Sequence, residues 1–254
     1  MTTDNTILVV TLLFAHLAGD FVLQPDRMAK RKWNLLWVIV HGLINGLLVY
    51  VLVGAWSLWV PVLVIAVSHV IIDIGKGTLI KHNQDFDSIW LFLADQLLHL
   101  IVLAFILCAF YFPLNVTPPW VRLDPPFSYS VLLILTSLLI ILPFGGDLIA
   151  YLMKPLQTQL NKRFRPNSLR PVTGLKDGGR IIGYLERLLI YVFILSGQFA
   201  GVGFLVAAKS IFRFGELKES ENRKQAEYII IGTFTSFLLA IVVSLAVQAL
   251  LKLA

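Results

Sequence analysis

The sequence predicts an all-α protein, a polytopic bundle of transmembrane helices, and three observations support this fold class. Of its 254 residues, 57% are hydrophobic and only 14% are charged, whereas about 25% of residues are charged in an average soluble domain. Seven apolar segments approach the length of about 20 residues that crosses a bilayer. Lysine and arginine also concentrate in alternate loops, as they do in multi-pass membrane proteins. We therefore expect a single integral-membrane domain over residues 1–254.

The seven segments are separated by residues that commonly form loops. Pro25, Gly54 and Gly77 follow the first three segments, and the proline-rich stretch 118–126 follows the fourth. We divide the domain into a four-helix half, 1–112, and a supporting half, 113–254, which contains the polar stretch 154–180. The apolar segments cover roughly residues 6–24, 33–53, 56–75, 88–112, 128–152, 181–208 and 228–253.

The distribution of positive charge predicts the orientation of the chain. The loop at 27–32 is rich in lysine and arginine, the second loop has neither, the third contains Lys76 and Lys81, and the fifth, 154–180, is again basic. Positive residues collect in cytoplasmic loops. We therefore expect the N-terminus outside and loops one, three and five in the cytoplasm.

The sixth segment departs from this alternation. The stretch after Ala208 is basic, although a single sixth crossing would place it outside, and the segment is broken midway by SGQFAGVG at 196–203. We expect residues 181–212 to form a re-entrant helical hairpin that enters and leaves on the cytoplasmic side, because irregular backbone is tolerated at membrane depth where protein buries it. The alternative is one long tilted helix that violates the charge rule.

The four-helix half contains a repeated pairing of histidine and aspartate. Such residues are rare inside membrane spans and usually functional, and a spacing of four places each pair on one helix face. In the fourth segment, which runs in the opposite direction to the first and third, the order of the pair is reversed, so all the aspartates lie nearer the cytoplasm. The residues that share this layer are His16, Asp20, His41, His69, Asp73, Asp95 and His99.

This layer predicts a site for one or two divalent metal ions, with zinc the preferred ion. Each carboxylate at bilayer depth costs about 2.5–3.5 kcal/mol, and a bound zinc ion supplies about 10–16 kcal/mol of apparent binding free energy. Asn45 and Gln24 are candidates to hydrogen-bond the ligands. Two alternatives stay open at this point: a hydrogen-bonded polar core, and a path for protons or ions.

Further charged residues fall near the same depth. Asp147 and Glu186 are candidates for a general base, an extra ligand or a salt-bridge partner, and the adjacent Arg187 favours pairing for Glu186. Gly145 and Gly146 would let another backbone approach closely. A basic rim could bind a phosphate or a phospholipid headgroup, with positive-inside anchoring as the alternative. This rim consists of Arg180, Arg187, Lys209 and Arg213.

These features predict an integral-membrane, metal-dependent hydrolase that acts on a lipid or another amphiphilic ester, including phosphoesters. An ion or proton transporter and a scaffold subunit with a structural polar core are the alternatives. The outer halves of the first four segments are almost entirely apolar, which favours the enzyme over the transporter. We expect membrane lipids as partners, allow for a homo-oligomer, and exclude nucleic acid, because the positive charge is explained by topology. The only cysteine, Cys108, excludes disulfides within the chain.

Several stretches resemble a bacterial integral-membrane family, domain of unknown function 3307, and imply the bacterial inner membrane as location. A looser similarity of the His-x-x-x-Asp pairs to membrane-bound metal-dependent hydrolases implies an enzymatic role. The stretches that carry the family resemblance are HLAGDFVLQP (16–25), HGLINGLL (41–48), SHVIID (68–73), ADQLLH (94–99), GGRIIGYLERLLI (178–190), AAKSIFRF (207–214) and AEYIIIGTFTS (226–236).

Overall fold

The computed structural model of the chain describes residues 3–25, 34–122, 124–161, 177–214 and 222–253. Over these residues the secondary structure is helical and contains no strand. The predicted all-α fold class is therefore confirmed. The α-helices are α1 (Thr3–Phe21), α2 (Leu35–Val53), α3 (Trp59–His82), α4 (Ile89–Ile106), α5 (Pro125–Leu139), α6 (Gly145–Asn161), α7 (Gly178–Leu195), α8 (Phe199–Phe214) and α9 (Asn222–Leu251).

Short helical turns of other types interrupt or link these helices. Two π-helical turns, Leu107–Tyr111 and Ile140–Phe144, follow α4 and α5. Two 3₁₀ turns, Gln84–Phe86 and Pro119–Arg122, precede α4 and α5. Pro143 lies inside the second π turn, and a proline there disturbs the regular hydrogen-bond ladder because it has no N–H to donate.

The described part of the chain contains five helices that are long and apolar enough to cross a membrane. Their composition makes this a membrane protein. Two further apolar helices, Asn5–Phe21 and Phe199–Ser210, are shorter, so the predicted total of seven spans stays a prediction. The five candidate spans are Leu35–Val53, Trp59–His82, Ile89–Tyr111, Phe127–Leu160 and Lys224–Leu251.

The chain divides into two compact units, residues 1–139 and 140–253. The first contains α1–α5 and the second contains α6–α9. In the first unit, one apolar core forms where α1, α2, α3 and the end of α4 meet, with Leu12, Val49, Ile65 and Ile106 among its buried side chains. The histidine and aspartate pairs lie on the same helices as this core.

Close packing of α2 against α3 depends on two glycines spaced four residues apart. A Cβ on Gly42 would lie 2.6 Å from Val70 Cγ2 and 2.8 Å from the Ala66 carbonyl oxygen, and one on Gly46 would lie 3.0 Å from Ala66 Cβ. Small residues at this spacing let helix backbones approach closely in membranes. The contact brings His41, next to Gly42, towards α3.

The ends of α2 follow the usual capping chemistry. The side chain of Asn34 accepts a hydrogen bond from Leu36 N (3.0 Å) at the N-terminus. At the C-terminus Gly54 takes a left-handed conformation with φ 64°, which glycine adopts without the steric cost of a Cβ. Helix α2 therefore begins and ends next to the two stretches that the sequence analysis assigned to loops.

Helix α3 is longer than predicted and includes Lys76, which the sequence analysis assigned to a cytoplasmic loop. The helix continues to His82 rather than ending near residue 75. Lys76 is 8% exposed, and its Nζ donates to Asp95 Oδ2 at 2.6 Å. The loop assignment was wrong because the ammonium group has a buried carboxylate partner and does not need solvent.

In the second unit, α7 and α8 form the expected helical hairpin. Gly197, with φ 72°, lies in the turn between them. Lys209 Nζ on α8 lies 2.6 Å from Glu186 Oε2 on α7, and these residues are equally distant in sequence from the turn, as antiparallel arms require. The two antiparallel helical arms are confirmed, whereas their re-entrant insertion into the membrane from the cytoplasmic side stays a prediction.

The π turn of the second unit is bound by a buried arginine. Arg187 donates through Nε to the Ile141 carbonyl, through Nη2 to the Leu142 carbonyl at 3.3 Å, and through Nη1 to Ser236 Oγ at 2.8 Å. Arg187 is 3% exposed. Its guanidinium group thus connects α7, the π turn and α9.

The glycine pair after the π turn packs against side chains and against the backbone of the turn itself. A Cβ on Gly145 would lie 2.7 Å from Leu239 Cδ2 and 2.9 Å from the Ile140 carbonyl oxygen, and one on Gly146 would lie 3.0 Å from Tyr184 Cε1. Close approach by the backbone of another helix at this pair stays a prediction. The two glycines therefore serve packing within the second unit.

Candidate metal centre

The first four helices bring ten polar side chains into one buried cluster inside the first unit. The histidines are 2–4% exposed, and the other members are similarly buried except Asp20, whose side chain is 10% exposed. The i,i+4 spacing on each helix turns both members of a pair towards the same neighbours. The cluster consists of His16 and Asp20 on α1, His41 and Asn45 on α2, His69, Asp73 and Lys76 on α3, and Asp95, Gln96 and His99 on α4.

The four imidazole rings are in contact with one another. The ring centroids of His41 and His69 are 4.7 Å apart, those of His69 and His99 are 4.1 Å apart, and those of His99 and His16 are 5.2 Å apart. Four different helices contribute one ring each. The shared layer that sequence spacing predicted is therefore present as a continuous row of imidazoles.

Three atoms in this cluster have the spacing of ligands around one small cation. His41 Nε2 and His69 Nε2 are 3.0 Å apart, and Asp20 Oδ1 lies 3.3 Å from the first and 3.2 Å from the second. Tetrahedral zinc with bonds of about 2.0 Å separates its ligands by about 3.3 Å. Asp73 Oδ2 lies 3.8 Å from both imidazole nitrogens and is a candidate for the fourth ligand atom.

Hydrogen bonding alone does not account for the surroundings of His69 Nε2. This atom has His41 Nε2, Asp20 Oδ1 and Asn45 Nδ2 within 3.0–3.3 Å. An imidazole nitrogen carries at most one hydrogen or one lone pair, so it can satisfy only one or two of these neighbours. A cation between His41, His69 and Asp20 would coordinate all three ligand atoms at once.

A second group of ligand atoms lies on the other side of Asp20. His16, Asp20 and His99 each offer an atom within 4.8 Å of the others, and His16 Nε2 is 3.8 Å from Asp20 Oδ2. Among the described residues, neither His16 Nε2 nor His99 Nε2 has a hydrogen-bond partner. Buried polar nitrogens without partners are uncommon, and both are positioned to bind a cation.

The tautomer of His99 follows from its other nitrogen. His99 Nδ1 lies 2.8 Å from the backbone carbonyl oxygen of Asp95, and a carbonyl only accepts, so Nδ1 carries the hydrogen. The neutral ring then presents a free lone pair at Nε2. A histidine that donates one ring N–H to a carbonyl and turns the other nitrogen to the ion is the usual arrangement of a metal ligand.

The cluster also contains a third group of possible metal ligands and a small cavity. His69, Asp73 and His99 also form a group whose ligand atoms lie within 4.8 Å. A cavity of ≈ 10 Å³ is lined by His16, Asn45, Ser68, His69 and His99 together with apolar side chains. A volume of about 10–15 Å³ on this measure holds one water molecule. The cavity suits a water or an ion and is too small for an organic substrate.

Asp95 differs from the other two predicted carboxylate ligands. Lys76 Nζ (2.6 Å) and Gln96 Nε2 (3.2 Å) both donate to its Oδ2, and the three groups with metal-ligand spacing among the described residues do not include it. The charge of Asp95 is thus already compensated by Lys76. Its backbone carbonyl orients His99, so Asp95 supports a ligand through its main chain.

Sequence analysis missed Lys76 and Gln96 as members of the cluster. Lys76 follows His69 and Asp73 at i+7 and i+3, the spacing that keeps residues on one helix face, and this signal was available. Gln96 Nε2 lies 3.4 Å from Asp20 Oδ2, a contact between two helices that spacing along one helix does not predict.

Asn45, which the sequence suggested as a partner of the ligands, lies at the centre of the cluster. Its Nδ2 donates to Asp20 Oδ1 at 3.2 Å and lies 3.4 Å from the His41 carbonyl oxygen. A Cβ on Gly19 would lie only 2.1 Å from Asn45 Oδ1, so Gly19 makes room for the amide. Gln24 is partly exposed beyond the end of α1, and its assignment stays a prediction.

The candidate bases lie in the second unit, and their catalytic role stays a prediction. Asp147 is in the first turn of α6 and exposed. Glu186 is paired with Lys209 at 2.6 Å. The expectation that Arg187 would pair with Glu186 was wrong, because Arg187 donates to the π turn instead.

The predicted anion-binding rim is only partly described. Arg187 and Lys209 have the partners given above, and Arg180 is exposed, with Nη2 3.8 Å from Asp177 Oδ1. The side chain of Arg213 lies outside the described residues. Binding of a phosphate or headgroup by these residues stays a prediction.

A comparison with known protein families matches the part of the chain that contains the cluster. Residues 8–119 match the family described as "Protein of unknown function (DUF3307)", and all ten cluster residues fall within this range. No curated protein and no solved structure matches the chain. The stretches of the second half that resembled this family lie beyond the matched range. Residues 8–119, which contain the whole cluster, are therefore similar to this family.

Proposed function

We propose that the protein is an integral-membrane, metal-dependent hydrolase whose histidine and aspartate cluster binds a divalent cation. The observation that carries this proposal is the triangle of His41 Nε2, His69 Nε2 and Asp20 Oδ1, with sides of 3.0–3.3 Å. Three side chains from three helices thus place their ligand atoms at the separations found around a tetrahedral zinc ion.

The chemistry of these ligands favours zinc. Two imidazole nitrogens and carboxylate oxygens suit a borderline cation that accepts tetrahedral geometry. Magnesium and calcium prefer sites built from oxygen alone. The cluster contains four imidazoles, which makes a site for either of these hard cations a poor match.

The charge of the buried cluster also supports a bound cation. Asp20, Asp73 and Asp95 supply three carboxylates, and Lys76 compensates only Asp95. With neutral imidazoles, Asp20 and Asp73 leave two negative charges in a helix bundle that an apolar membrane surrounds. Unpaired charges are costly in such an environment, and one divalent ion would neutralise them.

The bound ion would activate a water molecule and polarise the bond to be cleaved. A carboxylate that does not bind the ion would accept the proton. We propose a lipid or another amphiphilic ester as substrate, with the cluster in the cytoplasmic half of the bacterial inner membrane.

A second candidate function is a proton or ion pathway through the same residues. The row of four imidazoles, with centroid separations of 4.1–5.2 Å between neighbours, favours it, because histidines in contact can pass a proton along. The water-sized cavity beside the row could hold a bridging water. This pathway would need access from both faces of the membrane.

Metal analysis combined with two activity measurements tests the proposal. Full-length protein purified in detergent should contain zinc, and chelation should abolish hydrolysis of phosphoester or lipid ester substrates. Asp20→Ala should lose both properties, whereas His82→Ala, a substitution of an exposed histidine at the end of α3, should keep both. Metal-free protein that hydrolyses nothing would contradict the proposal. Ion flux into proteoliposomes without hydrolysis would favour the pathway.

A further inference from the structure

We infer that the cluster binds two divalent cations bridged by the carboxylate of Asp20, and that the substrate is a phosphoester. This inference rests on the proposed hydrolase function and specifies its metal count and substrate class. It follows from the way the two oxygens of one carboxylate divide the four histidines between them.

Each oxygen of Asp20 faces a different pair of imidazoles. Oδ1 lies 3.3 Å from His41 Nε2 and 3.2 Å from His69 Nε2. Oδ2 lies 3.8 Å from His16 Nε2, and His99 completes that group within 4.8 Å. A carboxylate that bridges in this way holds two ions about 3.5–4 Å apart, as in two-metal hydrolases.

The second position contains two buried imidazole nitrogens that have no hydrogen-bond partner among the described residues. His16 and His99 are each 4% exposed, and over the described ranges no group hydrogen-bonds to either Nε2. His99 presents its lone pair because Nδ1 donates to the Asp95 carbonyl. Leaving buried polar atoms without partners costs about 1–3 kcal/mol each, and a second ion would remove this cost.

The two positions differ in the number of protein ligands. The first has four within reach, from His41, His69, Asp20 and Asp73, and resembles a closed structural site. The second has three, and the water-sized cavity is lined by two of its ligands, His16 and His99. Catalytic zinc keeps such an open position for water. We therefore assign water activation to the second ion.

The charge of a two-ion centre indicates the substrate class. Two divalent ions exceed the two negative charges that Lys76 leaves uncompensated on Asp20 and Asp73. The excess positive charge favours an anionic substrate, and two ions at this separation stabilise both the attacking and the leaving oxygen in phosphoester hydrolysis. A neutral carboxylic ester would not compensate the excess.

The reaction is a simple hydrolysis and needs no further reactant. A water oxygen forms a bond to phosphorus, and the bond from phosphorus to the ester oxygen breaks. The bonding electrons leave with the ester oxygen, which takes up the proton released by water. The products are an alcohol and a phosphate with one ester linkage fewer.

The metal count of purified full-length protein tests this inference. Wild-type protein should bind about two zinc ions per chain, and His99→Ala should bind about one because the first position keeps its ligands. His82→Ala should match the wild type. With manganese, the wild type should give the electron paramagnetic resonance signal of an exchange-coupled pair, and His99→Ala should give that of an isolated ion. The wild-type spectrum needs no variant, so a misfolded variant does not remove the test.

The outcomes separate this inference from the proposed function. One ion in both the wild type and His99→Ala, with an isolated-ion spectrum and intact hydrolysis, would overturn the two-ion centre and leave the hydrolase. No ion and no hydrolysis would overturn both. For the substrate, vesicles of phosphatidic acid and soluble p-nitrophenyl phosphate distinguish a lipid from a free phosphoester. Cleavage of p-nitrophenyl acetate alone would overturn the phosphoester class.

Discussion

His41 Nε2 and His69 Nε2 lie 3.0 Å apart in the buried cluster of the first unit. Helices α2 and α3 hold them there because Gly42 and Gly46 allow the two backbones to approach. Asp20, from a third helix, lies within 3.3 Å of both nitrogens. These three atoms form the centre of the proposed ion site. Substitutions of the residues that pack around them test whether the site binds an ion.

The ion pair of Lys76 and Asp95 should be important for stability. Lys76→Met should destabilise the protein by about 3–5 kcal/mol, because it leaves Asp95 charged and buried without its cation. The double variant Lys76→Met/Asp95→Asn should recover most of this loss. Thermal unfolding in detergent measures both effects. Lys81→Met, at an exposed position of the same helix, is the control, and an equal loss there would contradict the account.

Gly19 should be required for the metal centre rather than for the helix. Gly19→Ala should reduce zinc content by more than about tenfold, because the new Cβ would displace Asn45 and with it Asp20. Gly75→Ala has no atom within 4 Å of its new Cβ and should keep the wild-type zinc content. Elemental analysis of both variants decides this. Full zinc in Gly19→Ala would show that the position of Asn45 is not needed.

Arg187 should stabilise the second unit. Arg187→Ala should cost about 3 kcal/mol, because it leaves the Ile141 and Leu142 carbonyls and Ser236 without their donor. The exposed Arg180→Ala is the matched control and should change stability by less than about 0.5 kcal/mol. Denaturant titration compares the two. A primary role in binding anions would appear instead as lost binding with unchanged stability.

The hairpin of α7 and α8 makes a prediction about orientation. In a Cys108→Ser background, Lys81→Cys and Lys224→Cys should react with a membrane-impermeant maleimide only from the cytoplasmic side, since a hairpin returns the chain to the side it left. Trp56→Cys, an exposed position between α2 and α3, should react from outside. Labelling of Lys224→Cys from outside would mean that this region crosses the membrane once.

The sequence was sufficient to predict the helical class and the cluster from periodic patterns, and the hairpin from the break at 196–203 and the basic stretch after it. Positions such as His16 and Asp20, four residues apart, share a helix face, and alternating loop charge predicts helix direction and therefore depth. In α4 the aspartate precedes the histidine. This reversed order places the pair at the same depth only when the spacing of four and the helix direction predicted from loop charge are combined.

Pairings between helices could not be predicted, because spacing along one helix does not choose a partner on another. Lys76 was assigned to a loop since positive charge alone suggested solvent, whereas Asp95 on α4 receives it in the interior. Glu186 likewise pairs with Lys209 rather than with its neighbour Arg187, because the guanidinium group of Arg187 donates to the carbonyls of the π turn. These choices depend on packing geometry.

The zinc content of wild-type full-length protein, purified in detergent and dialysed without chelator, tests the central claim most directly. The account predicts at least about one tightly bound ion per chain, with less zinc in His69→Ala and the wild-type content in His82→Ala. Fewer than about 0.2 ions per chain in the wild type, with no difference in His69→Ala, would contradict it.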